Sequence, residues 1–175
     1  MAVIIGAMMA PRFLRSSREL PLPSAPFIIA PGSLPSGLLP LLSIHVLSMM
    51  LSYTLFGLVA FNGVMGLSVR SQEAGLRLRD LSLVLLYPAV FLLTFGTFLG
   101  AVWANISWGS YWAWDPKETW ALVTMLVYSF TLHGEVLTVF SKPRFFHWYT
   151  IIAFLSVLIT YFGVNLLLGG MHSYA

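Results

Sequence analysis

The chain has 175 residues, of which 58% are hydrophobic and 9% are charged. A soluble domain carries about 25% charged residues, so the composition indicates an integral membrane protein. Its nine Lys and Arg and six Asp and Glu give a net charge of +3 without a clustered basic face, which excludes nucleic acid as a main partner. The chain has no cysteine, which excludes disulfides and thiolate ligands and leaves any metal chemistry to its four histidines.

Four apolar segments predict an all-α, polytopic membrane helix bundle. Each has about the 20 residues needed to cross roughly 30 Å of hydrocarbon, and we place them at 38–67, 81–104, 117–140 and 147–168. The second contains Pro88, which is expected to kink it. We therefore predict a four-helix transmembrane domain over 38–175, with an external tryptophan-rich loop between its second and third helices.

The N-terminal residues 1–37 are interpreted as a partial hydrophobic end, 1–10, followed by a Pro-rich external segment. A cleaved signal peptide is the alternative, but its basic residues would precede the apolar run, and here they follow it. We favour a fragment of a longer chain, or a chain with an upstream partner.

The tryptophan-rich loop is the most distinctive segment of the chain. Four of the six tryptophans fall within 108–120, at Trp108, Trp112, Trp114 and Trp120, whereas one Trp is enough to anchor a helix end at the membrane interface. The loop therefore predicts a surface that presents flat aromatic faces to a ligand.

The start of the third helix is marked by Asp115, Pro116 and Glu118. Asp at the N-cap, Pro at N1 and Glu at N3 form a capping-box pattern, so the loop is expected to end where this helix begins. Capping explains Asp115 completely, and contact of its carboxylate with a ligand stays open.

Basic residues predict the orientation in the membrane. The connections 68–80 and 141–146 contain five of them, against only Lys117 in the tryptophan-rich loop. The positive-inside rule then places both connections in the cytoplasm and the loop outside. Three arginines at 12–18 oppose this orientation, but they lie about 20 residues from the first span, at the edge of the range over which the rule counts charge.

Two histidines share the predicted outer face with this loop. His45 lies near the outer end of the first span and His172 lies just beyond the fourth, so an even number of crossings places both on one side of the membrane. Two imidazoles beside an aromatic surface could ligate haem iron from its two axial sides. The alternative is that His45 is a polar contact within the bundle and His172 an interfacial residue.

The other two histidines lie deeper or on the opposite side. His133 is 18 residues beyond Asp115 on the predicted third helix, about 27 Å away at 1.5 Å per residue, which places it in the inner leaflet. Its partner there could be a neighbouring helix's backbone, Glu135, or a second metal or haem. His147 adjoins the basic loop and is interpreted as a structural residue of the interface.

These residues carry a family resemblance. The segment 108–121 resembles the WWD signature of the haem-handling proteins of cytochrome c biogenesis, and its Pro-Lys-Glu-Thr-Trp-Ala continuation is similar to the CcsA/ResC branch, System II. Ile44-His45-Val46 with Ser52-Tyr53 resembles that family's first external-histidine helix, and 161–174 resembles the segment with the second. Leu132-His133 resembles its intramembrane histidine, so the resemblance covers about 38–175.

The resemblance implies a haem exporter and cytochrome c synthase component that is inactive alone and works with a CcsB/ResB partner. Its substrates would be haem b and an apocytochrome c with a CxxCH motif, joined by thioether bonds. His45 and His172 would ligate the outer haem iron, and His133 would ligate an inner haem whose second ligand belongs to the partner. The implied haem-facing residues of the loop are Trp108, Gly109, Tyr111, Trp112, Trp114 and Asp115.

The implied location is a bacterial inner membrane or a thylakoid membrane, with the loop and the two outer histidines on the periplasmic or lumenal side. Two other functions remain. A CcmC-like module would pass haem to a chaperone without attaching it to cytochrome and would not need His133. A non-haem structural subunit would use the tryptophans only as an interfacial belt.

Overall fold

A computed structural model describes residues 38–134 and 136–162. This part of the chain contains helices and no strands, which confirms the predicted all-α membrane bundle. The elements are α1 (Leu38–Ser68), α2 (Gln72–Trp108), α3 (Pro116–Leu132), a 3-10 turn (Thr138–Ser141) and α4 (Pro143–Leu158). The predicted segment 1–37, the end of the fourth span and His172 lie outside the described residues.

Three of the described helices are long and apolar enough to cross a membrane. They are α1 with 31 residues, α2 with 37, and α4 with its continuation to Phe162, 20 residues in all. The helix α3 has 17 residues, or roughly 26 Å, and is shorter than the predicted third span. It ends at Leu132, so the predicted end at residue 140 is wrong.

Competition for one carbonyl accounts for the early end of α3. In a continuing helix the backbone N–H of His133 would donate to Ser129 O. Instead the ring Nδ1–H of His133 donates to that oxygen at 2.7 Å, and the backbone N–H turns to Phe130 O at 3.2 Å. Such local side-chain bonds compete with the helical ladder, and Gly134 follows directly.

The second and fourth helices begin earlier than predicted. Ser71 caps α2, its hydroxyl accepting from the Ala74 N–H at 3.4 Å, and α2 then continues through Pro88 to Trp108. Pro143 stands at the start of α4, where its missing N–H costs nothing. The apolar runs therefore mark only the apolar parts of these helices and not their full lengths.

The bundle is held by apolar packing and close helix approaches. The helix α1 packs along α2 and α4, and α3 packs against α2 and α4. The rings of Phe56 and Tyr128 stack with centroids 4.0 Å apart, and both side chains are fully buried. The stacked pair joins α1 to α3 in the core of the bundle.

His147 connects α4 to α2 at the end of the bundle opposite the tryptophan-rich loop. We predicted an interfacial residue, but its side chain is completely buried, because Gly66 of α1 leaves room for the imidazole: a Cβ there would overlap the ring. Its Nε2–H donates to Gly75 O at 3.0 Å, which ties the start of α2 to α4. His147 therefore has a structural role, as expected, but in the core of the bundle and not at the interface.

Candidate functional site

The tryptophan-rich loop is fixed at both ends by helix caps. Gly109 ends α2 in the left-handed region at φ 77°, and its N–H donates to Asn105 O at 2.9 Å, the usual role of a C-terminal glycine. At the other end Asp115 caps α3, its Oδ1 accepting from the Lys117 N–H at 2.9 Å. Glu118 completes the capping box, so the predicted start of α3 is confirmed.

Glu118 also reaches further back into the loop. Its Oε2 accepts from the Asp115 N–H at 3.2 Å and from the Ala113 N–H at 2.9 Å. The first turn of α3 therefore holds the preceding residues as well as its own cap. Between the caps Trp114 adopts φ 57°, a region that residues other than glycine rarely occupy.

A cavity of about 370 Å³ lies between this loop and the helices, within the range of ~300–1,000 Å³ that small-molecule sites occupy. The first three helices, the continuation of α4 and the loop all contribute to it. Its lining is mostly apolar or aromatic and consists of His45, Val46, Met49, Met50, Tyr53, Thr97, Gly100, Ala101, Tyr111, Trp112, Lys117, Glu118, Ala121, Thr160 and Tyr161. The structure thus brings His45 together with the loop, as predicted.

The imidazole of His45 is oriented by α2. Its Nδ1 lies 2.7 Å from Gly96 O, and because a carbonyl can only accept, Nδ1 carries the proton. In the neutral ring Nε2 then carries the lone pair, which is the arrangement of metal-bound histidines with a backbone carbonyl behind them. A Cβ on Gly100 would lie 2.7 Å from His45 Cε1, so this glycine provides the space for the ring.

The loop side chains divide between the cavity and the surface. Tyr111 and Trp112 line the cavity, and the buried indole Nε1 of Trp112 has no hydrogen-bond partner among the described residues. Trp114 is 70% exposed and meets Trp112 edge to face at 5.8 Å. Trp108 is exposed and packs against Trp103. Of the four tryptophans at 108–120, Trp112 is therefore the one that lines the cavity.

The remaining sequence-predicted site residues are placed elsewhere. Gly109 shapes the loop from outside the cavity lining, and Asp115 is buried as the cap. His133 lies at the far end of α3 with an exposed side chain, and its Nδ1–H donates to Ser129 O, so its Nε2 also carries the lone pair. His45 lines the cavity beside the first turn of α3, whereas His133 lies at the C-terminal end of that helix.

Sequence reasoning missed Gly96, Gly100 and Lys117 as site residues. The two glycines are four residues apart on one face of α2, a spacing that permits close helix approach in membranes. The space beside Gly96 is equally small, since a Cβ there would lie 2.8 Å from Met49 Sδ. That spacing was the available signal, but only the packing of α1 on α2 shows which side chain the glycines accommodate.

The fold and the cavity define a helical membrane protein with a cavity that is lined by a histidine and by aromatic side chains. The family described as Cytochrome C assembly protein matches residues 24–172. The chain therefore belongs to the cytochrome c assembly protein family, and its predicted resemblance to CcsA is confirmed. Membership places it among the proteins of cytochrome c biogenesis.

Individual relatives agree with the family match. The chain is 41% identical over 143 residues to Protein NrfI of Wolinella succinogenes, covering 77% of this chain. It is 41% and 40% identical to the cytochrome c biogenesis proteins CcsA of Cyanophora paradoxa and Gloeobacter violaceus, covering 66% and 70% of this chain. The aligned part spans 16%, 39% and 36% of these three relatives' own lengths.

Proposed function

We propose that this chain provides the outer haem site of a CcsA-type cytochrome c synthase. The observation that carries the proposal is the position of His45 in the cavity behind Trp112, with its Nδ1–H bound to Gly96 O at 2.7 Å. A histidine held in this way offers Nε2 to an iron, and an aromatic wall suits the flat face of a porphyrin. His172 is the proposed second axial ligand.

The residues of the cavity fit haem as a bound substrate. The lining is mostly apolar, as a macrocycle requires. Within residues 38–134 and 136–162 the buried indole N–H of Trp112 finds no acceptor, which a polar group of the ligand would supply. The chain's own contribution to the reaction is to bind, to orient and to exclude water.

Thioether formation needs no acid or base from this site. A thiol of the apocytochrome CxxCH motif adds across a haem vinyl group: the S–H bond and the vinyl π bond break, and one C–S and one C–H bond form. Neither oxidant nor reductant is consumed, so rate depends on holding the two groups in reacting geometry. Release of the product follows when the histidine of CxxCH replaces His45 or His172 on the iron.

The proposal extends to the partner and the membrane. We propose that a CcsB/ResB-type protein supplies the second ligand of an inner haem at His133, whose exposed side chain is accessible to a neighbouring protein. The basic connections support an orientation with the cavity end outside, in a bacterial inner membrane or a thylakoid membrane.

Co-expression of the chain with its CcsB/ResB partner and an apocytochrome c tests the function. We expect His45→Gly to lose the bis-histidine haem spectrum and covalent haem attachment, and added imidazole to restore the spectrum because it replaces the missing ligand. Normal attachment in His45→Gly would disprove the assignment. Bound haem without attachment in the wild type would favour the CcmC-like alternative, and no haem band would favour the structural subunit.

A further inference from the structure

Arg79 of α2 holds the connection between α3 and α4, residues 133–142. Its Nε–H donates to Phe140 O at 2.9 Å, and its Nη1–H donates to Asp80 Oδ1 at 2.9 Å. The guanidinium carbon lies 5.7 Å from the centre of the Phe146 ring, and only 17% of the side chain is exposed. A charged donor on a carbonyl oxygen makes a strong hydrogen bond, so the connection is attached to α2 at Phe140.

A series of hydrogen bonds leads from Phe140 back to His133. The backbone N–H of Phe140 donates to Leu137 O at 3.0 Å, and the N–H of Leu137 donates to His133 O at 2.8 Å. The ring Nδ1–H of His133 donates to Ser129 O at 2.7 Å. The backbone of His133 is therefore joined to α2 through the connection, while its ring is joined to α3.

The imidazole of His133 depends on these bonds for its position. Its side chain is exposed, so packing within the described part of the chain does not hold it, and the helix has ended one residue earlier. Arg79 also lies beside the next residue, since a Cβ on Gly134 would be 3.7 Å from Arg79 Nη2. A metal ligand must be held to within about 0.5 Å of its productive position, which requires support of this kind.

We propose that Arg79 is a positioning residue for His133. Resting on the proposed function, in which His133 ligates an inner haem, the bond from Arg79 Nε to Phe140 O keeps the connection on α2 and so keeps Nε2 of His133 where the iron can reach it. The role depends on this donor and not on an unpaired charge, because Asp80 pairs with the same guanidinium. Arg79 acts through His133 and is not itself a ligand.

Arg77 provides a matched control on the same helix. It lies two residues before Arg79, its side chain is 79% exposed, and it pairs at 2.6 Å with Glu73, one turn earlier in α2. Arg77→Gln removes the same charge from the same end of α2 as Arg79→Gln. A difference between the two variants therefore isolates the contacts of Arg79 with the connection.

The experiment measures haem affinity of the inner site in the complex of the full chain with its CcsB/ResB partner. The complex carries His45→Leu, so that the outer site does not contribute, and is depleted of haem before titration. Each arginine variant is titrated once with His133 present and once as His133→Gly with saturating imidazole. Glycine is well tolerated at a helix end, and free imidazole replaces the ring without being attached to the connection.

We expect Arg79→Gln to lower haem affinity about tenfold when His133 is present, the lower end of the effect of losing a group that supports a metal ligand. With His133→Gly and imidazole, Arg79→Gln should have no effect, because the free ligand needs no positioning. Arg77→Gln should change neither affinity. If Arg79→Gln does not assemble with the partner, Arg79→Lys, which keeps the charge but cannot reach both acceptors, should show the same dependence on His133.

The outcomes separate this inference from the function on which it rests. No loss in Arg79→Gln, an equal loss with His133 and with imidazole, or an equal loss in Arg77→Gln would overturn the positioning role, while loss of haem in His133→Gly without imidazole still supports the inner site. Full haem affinity in His133→Gly without imidazole would overturn the inner site at His133 and the inference with it.

Discussion

Gly100→Ala tests how strictly α2 positions His45. The added Cβ would lie 2.7 Å from Cε1, 2.9 Å from Nδ1 and 3.4 Å from Nε2 of the ring. Carbon atoms in contact are ~3.5–4.0 Å apart, so the imidazole must move by about 1 Å. Its bond to Gly96 O, now 2.7 Å, would then exceed the ~3.2 Å limit of a good N–H···O bond.

Loss of such a supporting bond lowers metal affinity by roughly 10–100-fold, and we expect a fall of that size in haem affinity for Gly100→Ala. Haem titration of the purified chain measures it, and the low-spin Soret band reports whether His45 still ligates the iron. Covalent haem yield in the co-expression assay should fall in parallel.

Gly75→Ala is the matched control. It lies in the same helix, and its added Cβ would meet only Pro143 Cβ at 3.8 Å, an ordinary contact. Each substitution adds about 1 kcal/mol of helix propensity, so a difference between the two isolates the clash with His45. Unchanged affinity and spectrum in Gly100→Ala would refute the reasoning.

Three further predictions concern the bundle, the cap and the aromatic wall. Gly66→Ala should lower the free energy of unfolding by about 1–3 kcal/mol through overpacking, measured by thermal unfolding, with Gly57→Ala nearly neutral because its Cβ meets ring carbons at 3.8 Å. Asp115→Ala should cost ~1 kcal/mol of stability and weaken haem binding, whereas Asp115→Asn retains the cap and both properties. Trp112→Leu should reduce haem affinity more than Trp114→Leu, since only Trp112 lines the cavity.

Each of these has a contradicting result. Equal stability of the two glycine variants would show that α1 and α4 can separate without cost. Weak haem binding in Asp115→Asn would show that the carboxylate contacts the ligand and does more than cap α3. Equal losses for the two tryptophan variants would place Trp114 in the ligand's surroundings.

Local sequence patterns predicted the features that depend on local interactions. The start of α3 was predictable because its cap involves residues 115–118 only. The end of α3 was not, because it depends on whether the ring of His133 or its backbone takes Ser129 O. Hydropathy also located the apolar part of α2 but not the start of the helix, since Ser71 and the polar first turns precede the apolar run.

The candidate site was predictable in part. The number of predicted membrane crossings placed His45 at the same end of the bundle as the loop, and both line the cavity. Which tryptophan faces inwards could not be predicted, because Trp112 and Trp114 differ through a positive φ at Trp114. His147 was misplaced because the space beside Gly66 exists only once α1 and α4 are packed.

Glu118 accepts hydrogen bonds from two residues of the loop, so the aromatic wall and the first turn of α3 are joined to each other. Ala113 and Asp115 are bonded to the first turn of the helix, while His45 is bonded to α2. The two sides of the cavity are therefore attached to different helices, the loop with Trp112 to α3 and the imidazole of His45 to α2. His133 is the C-cap of the same helix, so α3 connects the aromatic side of the cavity to the predicted inner histidine.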